Sequence, residues 1–402
     1  NRAGNAAYEP GSATTIMGYA GICDVNDIAL HSDDYFHRKS IDEIYTYISS
    51  TSCAVIPANT NTPPTVDNYA ATFNIPYKTS FEITASASDP DNQPINYCWE
   101  EYDLGPQGNW NVANNTTAPL FRSFLPNASG TRVFPVWDSL INNSIKYKGE
   151  VLPEVARNIK FRCTVRDNDN GYGAFNAPNT DLLLKSVVTP TLFRVTSFPT
   201  ASSFNGNTTQ TINWDVANTT ASPISCSNVD IYLSLDSART FPYLLASNVA
   251  NDGTESVLIP DVVTANASAR IKVKGHGNVF FDLNNGWIKI NQGIPPVVSK
   301  FTASDSVICE GTSITFTNTS TGPVDSVRWS INGGSPSTSI SLTTVASTFN
   351  TFGTYVVSIV AYKAGVASAA FTKSITVNPM PVIVFTPTNP VICAGDTIDI
   401  TA

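Results

Sequence analysis

Two aspartate-rich segments carry residues whose types and spacing suggest metal chemistry. Asp89 and Asp91 lie in the run Asp-Pro-Asp-Asn, and Asp167 and Asp169 lie in Asp-Asn-Asp-Asn-Gly. Carboxylate oxygens on neighbouring loops can bind Ca²⁺, which prefers hard oxygen ligands. The same residue types also form turns in which the side chain caps backbone amides. The sequence therefore predicts either a calcium site or a pair of capped turns.

The histidines limit what other metal chemistry the chain can perform. There are three, His31, His37 and His276, and no H-E-x-x-H segment. A zinc peptidase of that type needs two histidines one helical turn apart and a glutamate that acts as general base. The nucleophile and phosphate-binding motifs G-x-S-x-G, Walker A and G-x-G-x-x-G are absent as well. The chain by itself is therefore predicted to cleave no peptide bond.

The run from residue 7 to residue 23 contains Ile-Met-Gly-Tyr at positions 16–19, and Asp-Tyr-Phe-His follows at 34–37. With these residues the sequence resembles the end of a metzincin catalytic domain, in particular that of secreted bacterial reprolysin-like zinc metallopeptidases. The resemblance implies that Met17 forms the structural Met-turn beneath the zinc. It also implies that Tyr19 is a fifth zinc ligand or stabilises the oxyanion. An ordinary buried turn is the alternative interpretation.

The zinc ligands of that family precede its Met-turn, whereas His31 and His37 follow Met17. The resemblance therefore implies that the zinc ligands are absent from this chain, which is expected to be a fragment truncated at both ends. The parent protein is expected to be a secreted zinc endopeptidase that acts on proteins or peptides. Its accessory modules are expected to hold the enzyme near extracellular polymers or the cell surface. The alternative is a non-catalytic cell-surface adhesin or binding protein built of Ig-like modules.

The composition indicates an exported protein made mainly of β-strands. The chain has 402 residues, a net charge of −9, 14% charged residues and 26 prolines. This acidic balance argues against nucleic-acid binding, which needs a basic face. No apolar run approaches the roughly 20 residues that cross a bilayer. Frequent alternation of Thr, Val and Ile, with little helical periodicity, predicts β modules. A secreted or cell-surface location is expected.

Seven cysteines are scattered without a C-x-x-C pair, which disfavours zinc ribbons and thioredoxin-like sites. In an oxidising compartment some of them are expected to pair. Cys98 and Cys163 lie on two segments that are neighbours in many β-sandwiches. A disulfide between them is predicted, and two buried thiols are the alternative.

The residues named above lie in a series of predicted modules. The predicted fold class is mainly β, with tandem immunoglobulin-like β-sandwiches after a small α/β remnant. Trp99 is predicted to lie in the core of the first sandwich. A repeat of about 84 residues in the last part of the chain indicates tandem modules. The predicted segments are the metzincin remnant with the Met-turn and last helix (1–53), a linker (54–64), a PKD or cadherin-like sandwich (65–188) with an insertion at about 102–155, a fibronectin-like sandwich (189–292), a PKD-like sandwich (295–379) and the first strand of a truncated module (380–402).

Two local motifs refine this organisation. Ser40 and Glu43 form a predicted capping box that begins the last helix of the remnant. The run Ser-Leu-Asp-Ser-Ala-Arg-Thr-Phe at 234–241 resembles the Asp-box, S-x-D-x-G-x-T-W, in which an Asp side chain ties down a hairpin turn. Ala238 replaces its usual Gly and Phe241 its usual Trp. The Asp-box is interpreted as structural.

Overall fold

The computed structural model describes residues 4–52, 60–69, 72–167, 172–293, 297–363, 365–382 and 391–397. This part of the chain contains thirty β-strands, two α-helices and one 3-10 helix, so the fold is mainly β, as predicted. The chain divides into two compact units, Asn1–Gln292 (unit 1) and Gly293–Ala402 (unit 2). Neither α-helix in the described part has the length and apolar character needed to cross a bilayer.

Unit 1 starts with loops and one helix and continues as strands. Its helical elements are the 3-10 helix Asp24–Asn26, α1 (Arg38–Ser49) and α2 (Trp137–Leu140). Its first strands are β1 (Thr65–Val66), β2 (Thr72–Pro76), β3 (Ser80–Thr84), β4 (Ala87–Ser88), β5 (Ile95–Glu101), β6 (Thr131–Phe134), β7 (Lys146–Tyr147), β8 (Glu150–Val151), β9 (Arg157–Asp167), β10 (Phe175–Asn176) and β11 (Leu182–Val187). The later strands are β12 (Arg194–Val195), β13 (Ser202–Asn205), β14 (Thr209–Asp215), β15 (Asn228–Ser234), β16 (Tyr243–Ala250), β17 (Thr254–Leu258), β18 (Arg270–Gly275), β19 (Phe280–Leu283) and β20 (Ile288–Asn291).

One layer of the first sandwich is a five-stranded sheet. Its order is β10-β9-β11-β2, and β5 also pairs with the long strand β9. Strands β2 and β11 run parallel, whereas β5 and β9 are antiparallel. Trp99 on β5 is 3% exposed, and its indole N–H donates to the carbonyl oxygen of Gly130 over 2.8 Å. The prediction that Trp99 lies in the core is confirmed.

A second sheet runs through both halves of unit 1, in the order β16-β15-β18-β19-β3-β6. The junction pairs Phe281 with Ser80 and Phe280 with Phe81, and the Glu82 N–H donates to the carbonyl oxygen of Val279 over 2.9 Å. The apolar residues of both halves also belong to one core. The segments 65–188 and 189–292, which the sequence presents as successive modules, therefore share a sheet and a core. The pairing satisfies backbone groups that an edge strand would leave open.

The predicted insertion at about 102–155 is a structural part of the first sandwich. It supplies β6, which pairs with β3 and forms the edge of the shared sheet. It also supplies Phe121 and Phe134, whose rings lie 5.6 and 4.7 Å from that of Phe81. Phe134 contacts Phe161 on the opposite sheet at 4.8 Å. These close aromatic contacts bury large apolar areas between the two layers.

Residues 4–52 pack on β5 and on the insertion through hydrogen bonds. The Thr14 hydroxyl donates to the carbonyl oxygen of Ser123 over 3.1 Å, and the Arg38 N–H donates to Glu100 over 3.0 Å. The Tyr102 hydroxyl donates to Asp42 over 2.6 Å. Several larger apolar side chains of the segment face solvent instead: Ile16, Met17, Ile22, Val25, Leu30, Ile44, Tyr45 and Ile48.

The start of α1 differs from the sequence prediction. The helix begins at Arg38, and the N-cap is His37, whose Nδ1 accepts from the Lys39 N–H over 3.1 Å. The predicted capping box at Ser40 and Glu43 is therefore wrong. The cause is that the side chain of His37, only 4% exposed, already satisfies an N-terminal amide one turn earlier.

The predicted disulfide between Cys98 and Cys163 is also wrong, because both residues are buried free thiols. In the β5–β9 pair, Cys98 lies opposite Thr164 and Cys163 lies opposite Trp99. Directly opposed residues share a face and successive residues alternate faces, so the two sulfur atoms point to opposite sides of the sheet. Cys163 enters the core, whereas the Cys98 thiol donates to the carbonyl oxygen of Phe124. Burial raises the pKa of Cys98 to about 12.

Unit 2 contains one sandwich of two sheets. Their orders are β21-β23-β27-β25 and β22-β30-β28-β24-β26, with β29 paired to β28. Trp329 and Phe316 lie in its apolar core. The strands are β21 (Phe301–Ala303), β22 (Val307–Cys309), β23 (Thr312–Asn318), β24 (Ser326–Ile331), β25 (Gly334–Ser335), β26 (Thr338–Ser339), β27 (Thr344–Phe349), β28 (Gly353–Lys363), β29 (Val366–Ala367) and β30 (Phe371–Asn378).

The predicted linker and the predicted truncated module lie mostly outside the described residues. Of the linker at 54–64, only residues 60–64 are described, and there the Thr62 N–H donates to Asp91 over 2.6 Å. Of the truncated module at 380–402, residues 380–382 and 391–397 are described, and the latter form a turn. The strand predicted for that module stays a prediction.

Candidate binding cleft

The residues singled out by the metzincin resemblance lie in a loop on the surface of unit 1. The Gly18 N–H donates to the carbonyl oxygen of Thr15 over 2.8 Å, and the Tyr19 N–H donates to that of Ser12 over 2.7 Å. Met17 is 56% exposed and Tyr19 is half-buried. In the part of the chain that the structure describes, no group of three or more His, Cys, Asp or Glu residues could hold a metal ion. These residues therefore do not form a zinc site by themselves.

The predicted calcium ligands make hydrogen bonds that stabilise turns. Asp89 Oδ1 accepts from the N–H groups of Asp91 and Gln93, over 2.9 and 3.0 Å. Asp167 Oδ1 accepts from the Ala174 N–H over 2.7 Å. Asp169 lies outside the described residues. These contacts are those of capped turns. They add no oxygen ligand, and calcium takes six to eight. Calcium binding at this end of the first sandwich stays a prediction.

The Asp-box motif folds into a tight turn held by one carboxylate. Asp236 accepts from the N–H groups of Arg239 and Thr240, over 3.1 and 2.9 Å, and from the hydroxyls of Ser234 and Thr240. Partial burial would raise the pKa of Asp236, but these hydrogen bonds outweigh it and hold the pKa below its ordinary value. The turn fixes the direction in which Arg239 and Phe241 leave the backbone.

Arg239 and Phe241 lie on the rim of an open cleft of about 760 Å³ in unit 1. Its floor includes Glu82 and Thr84 of β3, Thr131 of β6 and Lys272 of β18, which all belong to the shared sheet. The floor therefore exists because the two halves of unit 1 pair through β19 and β3. The other lining residues are Asp33, Arg122, Phe124, Leu125, Asn127, Ser129, Arg132, Val133, Val136, Trp137 and Thr240.

A buried charge network lies at the floor of the cleft. The carboxylate of Glu82 forms ion pairs with the ammonium groups of Lys272 and Lys274, at 3.2 and 2.8 Å. Burial alone would raise the pKa of Glu82, but the two ammonium groups outweigh it and lower the pKa. Burial also lowers the pKa of Lys272, although Glu82 opposes this. The Lys272 ammonium lies 4.5 Å from the centre of the Phe241 ring, which gives it a cation–π contact as well.

Two arginines and an aromatic ring form one wall of the cleft. The guanidinium groups of Arg122 and Arg132 lie 4.6 and 4.9 Å from the centre of the Phe124 ring. Arg132 also donates to the buried carboxylate of Glu150 over 2.6 Å. Arg122 is 3.4 Å from Asp33, which ties this wall to the segment 4–52. The arginines are therefore positioned mainly by contacts beneath the surface.

The opposite wall combines aromatic rings with an available cation. Trp137 of α2 and Phe241 lie 5.8 Å apart, tilted by 31°. Arg239 is exposed, and among the described residues no hydrogen bond or ion pair engages its guanidinium, although its N–H donates to Asp236. This wall presents apolar ring surface and a charged donor to the same space.

Most of the cleft residues were missed by sequence reasoning, which interpreted the Asp-box as structural only. The arginine between two phenylalanines in Phe121-Arg122-Ser123-Phe124 was the available signal, since a guanidinium close to an aromatic ring can form a cation–π contact. No comparable signal marked Trp137 or Lys272. Their place in the cleft depends on strand pairings between residues about 200 positions apart.

No family model and no curated protein matches the chain. Among solved structures it is similar to the fibronectin(III)-like modules of Clostridium thermocellum CbhA, at 16% identity and a TM-score of 0.19, over 47% of this chain and 95% of that one. It is also similar to the Bacteroides ovatus mixed-linkage glucan utilization locus SGBP-B in complex with a mixed-linkage heptasaccharide, at 11% identity and a TM-score of 0.17, over 80% and 72%. A third is Drosophila N-cadherin EC1-4, at 10% identity and a TM-score of 0.21, over 79% and 76%.

TM-scores this low carry no argument about the function of the chain. The assignment to the mainly β class depends on the strands and sheets described above.

Proposed function

We propose that this chain is a non-catalytic, extracellular binding region whose ligand occupies the cleft on the shared sheet of unit 1. The observation that carries the proposal is the cleft itself, an open space of about 760 Å³ lined by aromatic, hydroxyl, amide and cationic groups. Ligand sites combine apolar surface with a few placed polar groups in this way. A secreted or cell-surface location fits the low-charge composition and belongs to the proposal.

The cleft is better suited to binding than to hydrolysis. Its carboxylate Glu82 is held ionised by two ammonium groups, whereas a general acid needs a proton near neutral pH. Asp33, the other acidic lining residue, contacts Arg122. No pair of carboxylates therefore faces a common reacting atom, as glycoside hydrolysis requires. The geometry supports recognition and retention of a ligand, and this is the function that we propose.

The test is affinity electrophoresis of the whole chain against a panel of extracellular polymers: neutral glucan and mannan, an acidic pectin, and gelatin. Thr84→Trp fills the floor from an exposed strand position, and Trp137→Ala removes an aromatic wall. We expect at least one polymer to retard the chain and both variants to abolish the retardation. Phe352→Ala, at an exposed phenylalanine of unit 2, is the matched control. Retardation by no polymer, or retardation that both variants leave unchanged, would overturn the proposal.

A second candidate function is a role within a secreted zinc endopeptidase acting on proteins or peptides. Its support is the exposed apolar surface of the segment 4–52, which includes Met17, 56% exposed, and Tyr45, 66% exposed. A surface of this kind fits a segment that packs against further protein. In this proposal Met17 and Tyr19 keep the roles that the metzincin resemblance implies, and the zinc ligands come from residues outside this chain.

This candidate is tested on a version of the protein extended upstream of Asn1, with zinc content and casein cleavage as readouts. Stoichiometric zinc and chelator-sensitive cleavage, weakened by Tyr19→Phe, are the expected results. An extended protein with neither zinc nor cleavage would exclude the peptidase and leave the binding proposal unaffected.

A further inference from the structure

The charge of the cleft is opposite to that of the chain. Arg122, Arg132, Arg239 and Lys272 line it together with only Asp33 and Glu82, so four cationic and two acidic side chains give a balance of +2. The whole chain carries a net charge of −9. A local reversal of this kind concentrates anions at the site and repels them elsewhere. The charge distribution therefore favours an anionic ligand.

Arg239 is the cation that such a ligand would meet first. The other cationic groups already contact carboxylates: Lys272 contacts Glu82, Arg132 contacts Glu150 and Arg122 contacts Asp33. In the described part of the chain the guanidinium of Arg239 has no such partner. A guanidinium can donate two parallel hydrogen bonds to one carboxylate, which gives geometric selectivity as well as affinity.

The surroundings of Arg239 fit a sugar ring. Phe241 and Trp137 line the same cleft and are half-buried, so each offers part of its ring surface to a ligand, and such surface suits the C–H groups of a pyranose. Hydroxyl and amide side chains line the remaining space and match sugar hydroxyls: Thr84, Asn127, Ser129, Thr131 and Thr240. The floor is the face of a sheet, whereas an extended peptide is more often bound along a sheet edge. These features favour a carbohydrate over an acidic peptide.

We propose that the cleft binds acidic polysaccharides, with the Arg239 guanidinium paired to the carboxylate of a uronic acid residue and the sugar ring against Phe241 and Trp137. The Asp-box is then a recognition element, because Asp236 fixes the turn that presents Arg239. This inference rests on the proposed function and names the ligand class of the same site.

The experiment measures binding of the whole chain to oligogalacturonate, to the same oligosaccharide with methyl-esterified carboxyl groups, and to poly-glutamate. We expect oligogalacturonate to bind and the neutral ester to bind at least about tenfold more weakly, since a charged hydrogen-bond pair is worth that much. Arg239→Ala should weaken oligogalacturonate binding by a similar factor, and Arg239→Lys by less. Raising the salt concentration should weaken it further.

Arg328→Ala is the control, because Arg328 is also an exposed arginine but lies on β24 of unit 2. It should leave the affinity unchanged, and thermal melting should show that the Arg239 variants stay folded. Equal binding of the acid and the ester, or binding lost in Trp137→Ala but kept in Arg239→Ala, would overturn the acidic-sugar inference and leave the binding proposal standing. Tighter binding of poly-glutamate would assign the cleft to acidic peptides instead. If none of the three probes binds and the wider panel is also negative, both proposals fail.

Discussion

The first sandwich of unit 1 and the sandwich of unit 2 use the same plan with different interiors. Each has a core tryptophan whose indole N–H donates to a backbone carbonyl, Trp99 to Gly130 and Trp329 to Ser341. Each also pairs an early strand in parallel with its last, β2 with β11 and β22 with β30. The shared strand arrangement defines both sandwiches. They differ in the charged side chains that each interior buries besides its apolar ones.

Unit 1 buries charged groups, whereas the described residues of unit 2 include no buried charged side chain. Glu100, Glu101 and Glu150 are all below 2% exposed, and Glu101 contacts Arg157 at 3.5 Å. Among the described residues of unit 2, the ion pair between Lys363 and Asp325 is exposed. Burying charge is costly unless partners and hydrogen bonds compensate it. In unit 1 the buried charges lie where they hold the insertion and the cleft walls in one arrangement. Unit 2 depends on apolar packing instead.

The largest expected effect follows from removing one of these buried charges. Glu150→Ala leaves the guanidinium of Arg132 without its carboxylate and the Val136 N–H without its acceptor. Loss of one partner of a buried pair costs about 3–5 kcal/mol, so unit 1 should melt earlier while unit 2 is unchanged. Calorimetry of the whole chain measures both transitions.

Glu154→Ala is the control for that change, since Glu154 contacts Lys78 over 3.1 Å and both side chains are about one-third exposed. It should cost at most about 1 kcal/mol. Equal losses in the two variants would mean that burial does not distinguish the ion pairs of unit 1.

A smaller, pH-dependent effect is expected at Asp282. Its carboxylate accepts from the Val195 N–H over 2.7 Å, and burial raises the pKa to about 7. A folded pKa above the unfolded one stabilises the protein at low pH, and this stability is lost as the pH rises through about 7. Asp282→Asn keeps an acceptor but cannot ionise. It should stabilise unit 1 at pH 8 by about 1–3 kcal/mol and have little effect at pH 4.

Chemical denaturation at several pH values measures this difference. Unit 2, in which no such buried aspartate lies among the described residues, is the internal reference. A benefit of Asp282→Asn that is the same at pH 4 and pH 8 would contradict the ionisation argument.

Adding calcium tests whether the aspartate-rich end of the first sandwich makes unit 1 sensitive to a metal ion. If Asp89, Asp91, Asp167 and Asp169 bind Ca²⁺ with the weak affinity of extracellular modules, millimolar calcium should stabilise unit 1 by about 1 kcal/mol. Asp91→Asn should remove the effect, and magnesium should not reproduce it. Identical melting of unit 1 with calcium and with chelator would leave these residues as turn caps only.

The smallest effect is expected in unit 2. Asp325→Ala breaks the exposed contact with Lys363, 2.7 Å in length. Exposed pairs contribute about 0.2–1 kcal/mol, so the unit 2 transition should shift only slightly. A loss comparable to that in Glu150→Ala would show that unit 2 also depends on charge, which would remove the contrast between the units.

The sequence was sufficient to predict what local patterns determine. The frequent alternation of Thr, Val and Ile predicted the mainly β fold, because side chains of a strand alternate between faces. The disulfide failed on the same rule: Cys98 and Cys163 lie on paired strands but on opposite faces, and the register that decides this is not local. The capping box failed because the competing cap, His37, depends on its packing against Tyr102 and Glu100.

The cleft could not be predicted, since its floor requires β19 to pair with β3. Nothing in the local sequence of Ser80–Thr84 identifies a partner about 200 residues away. The Asp-box could be recognised, but its role depends on what Arg239 and Phe241 face. That is set by the shared sheet and by α2 of the insertion.

The shared sheet has a consequence for dividing the protein. A version that stops at Val187 would lack β19, so the backbone groups on one side of β3 would lose their partners. Such an open edge beside Phe81 and Ile83 is a template for pairing with another copy. Shortened versions of this kind should precipitate or form aggregates, whereas a cut between Gln292 and Gly293 follows β20, the last described strand of unit 1, and divides none of the described strands. When part of unit 1 is transferred to another protein, by engineering or by recombination, the residues up to Gln292 should therefore be transferred together.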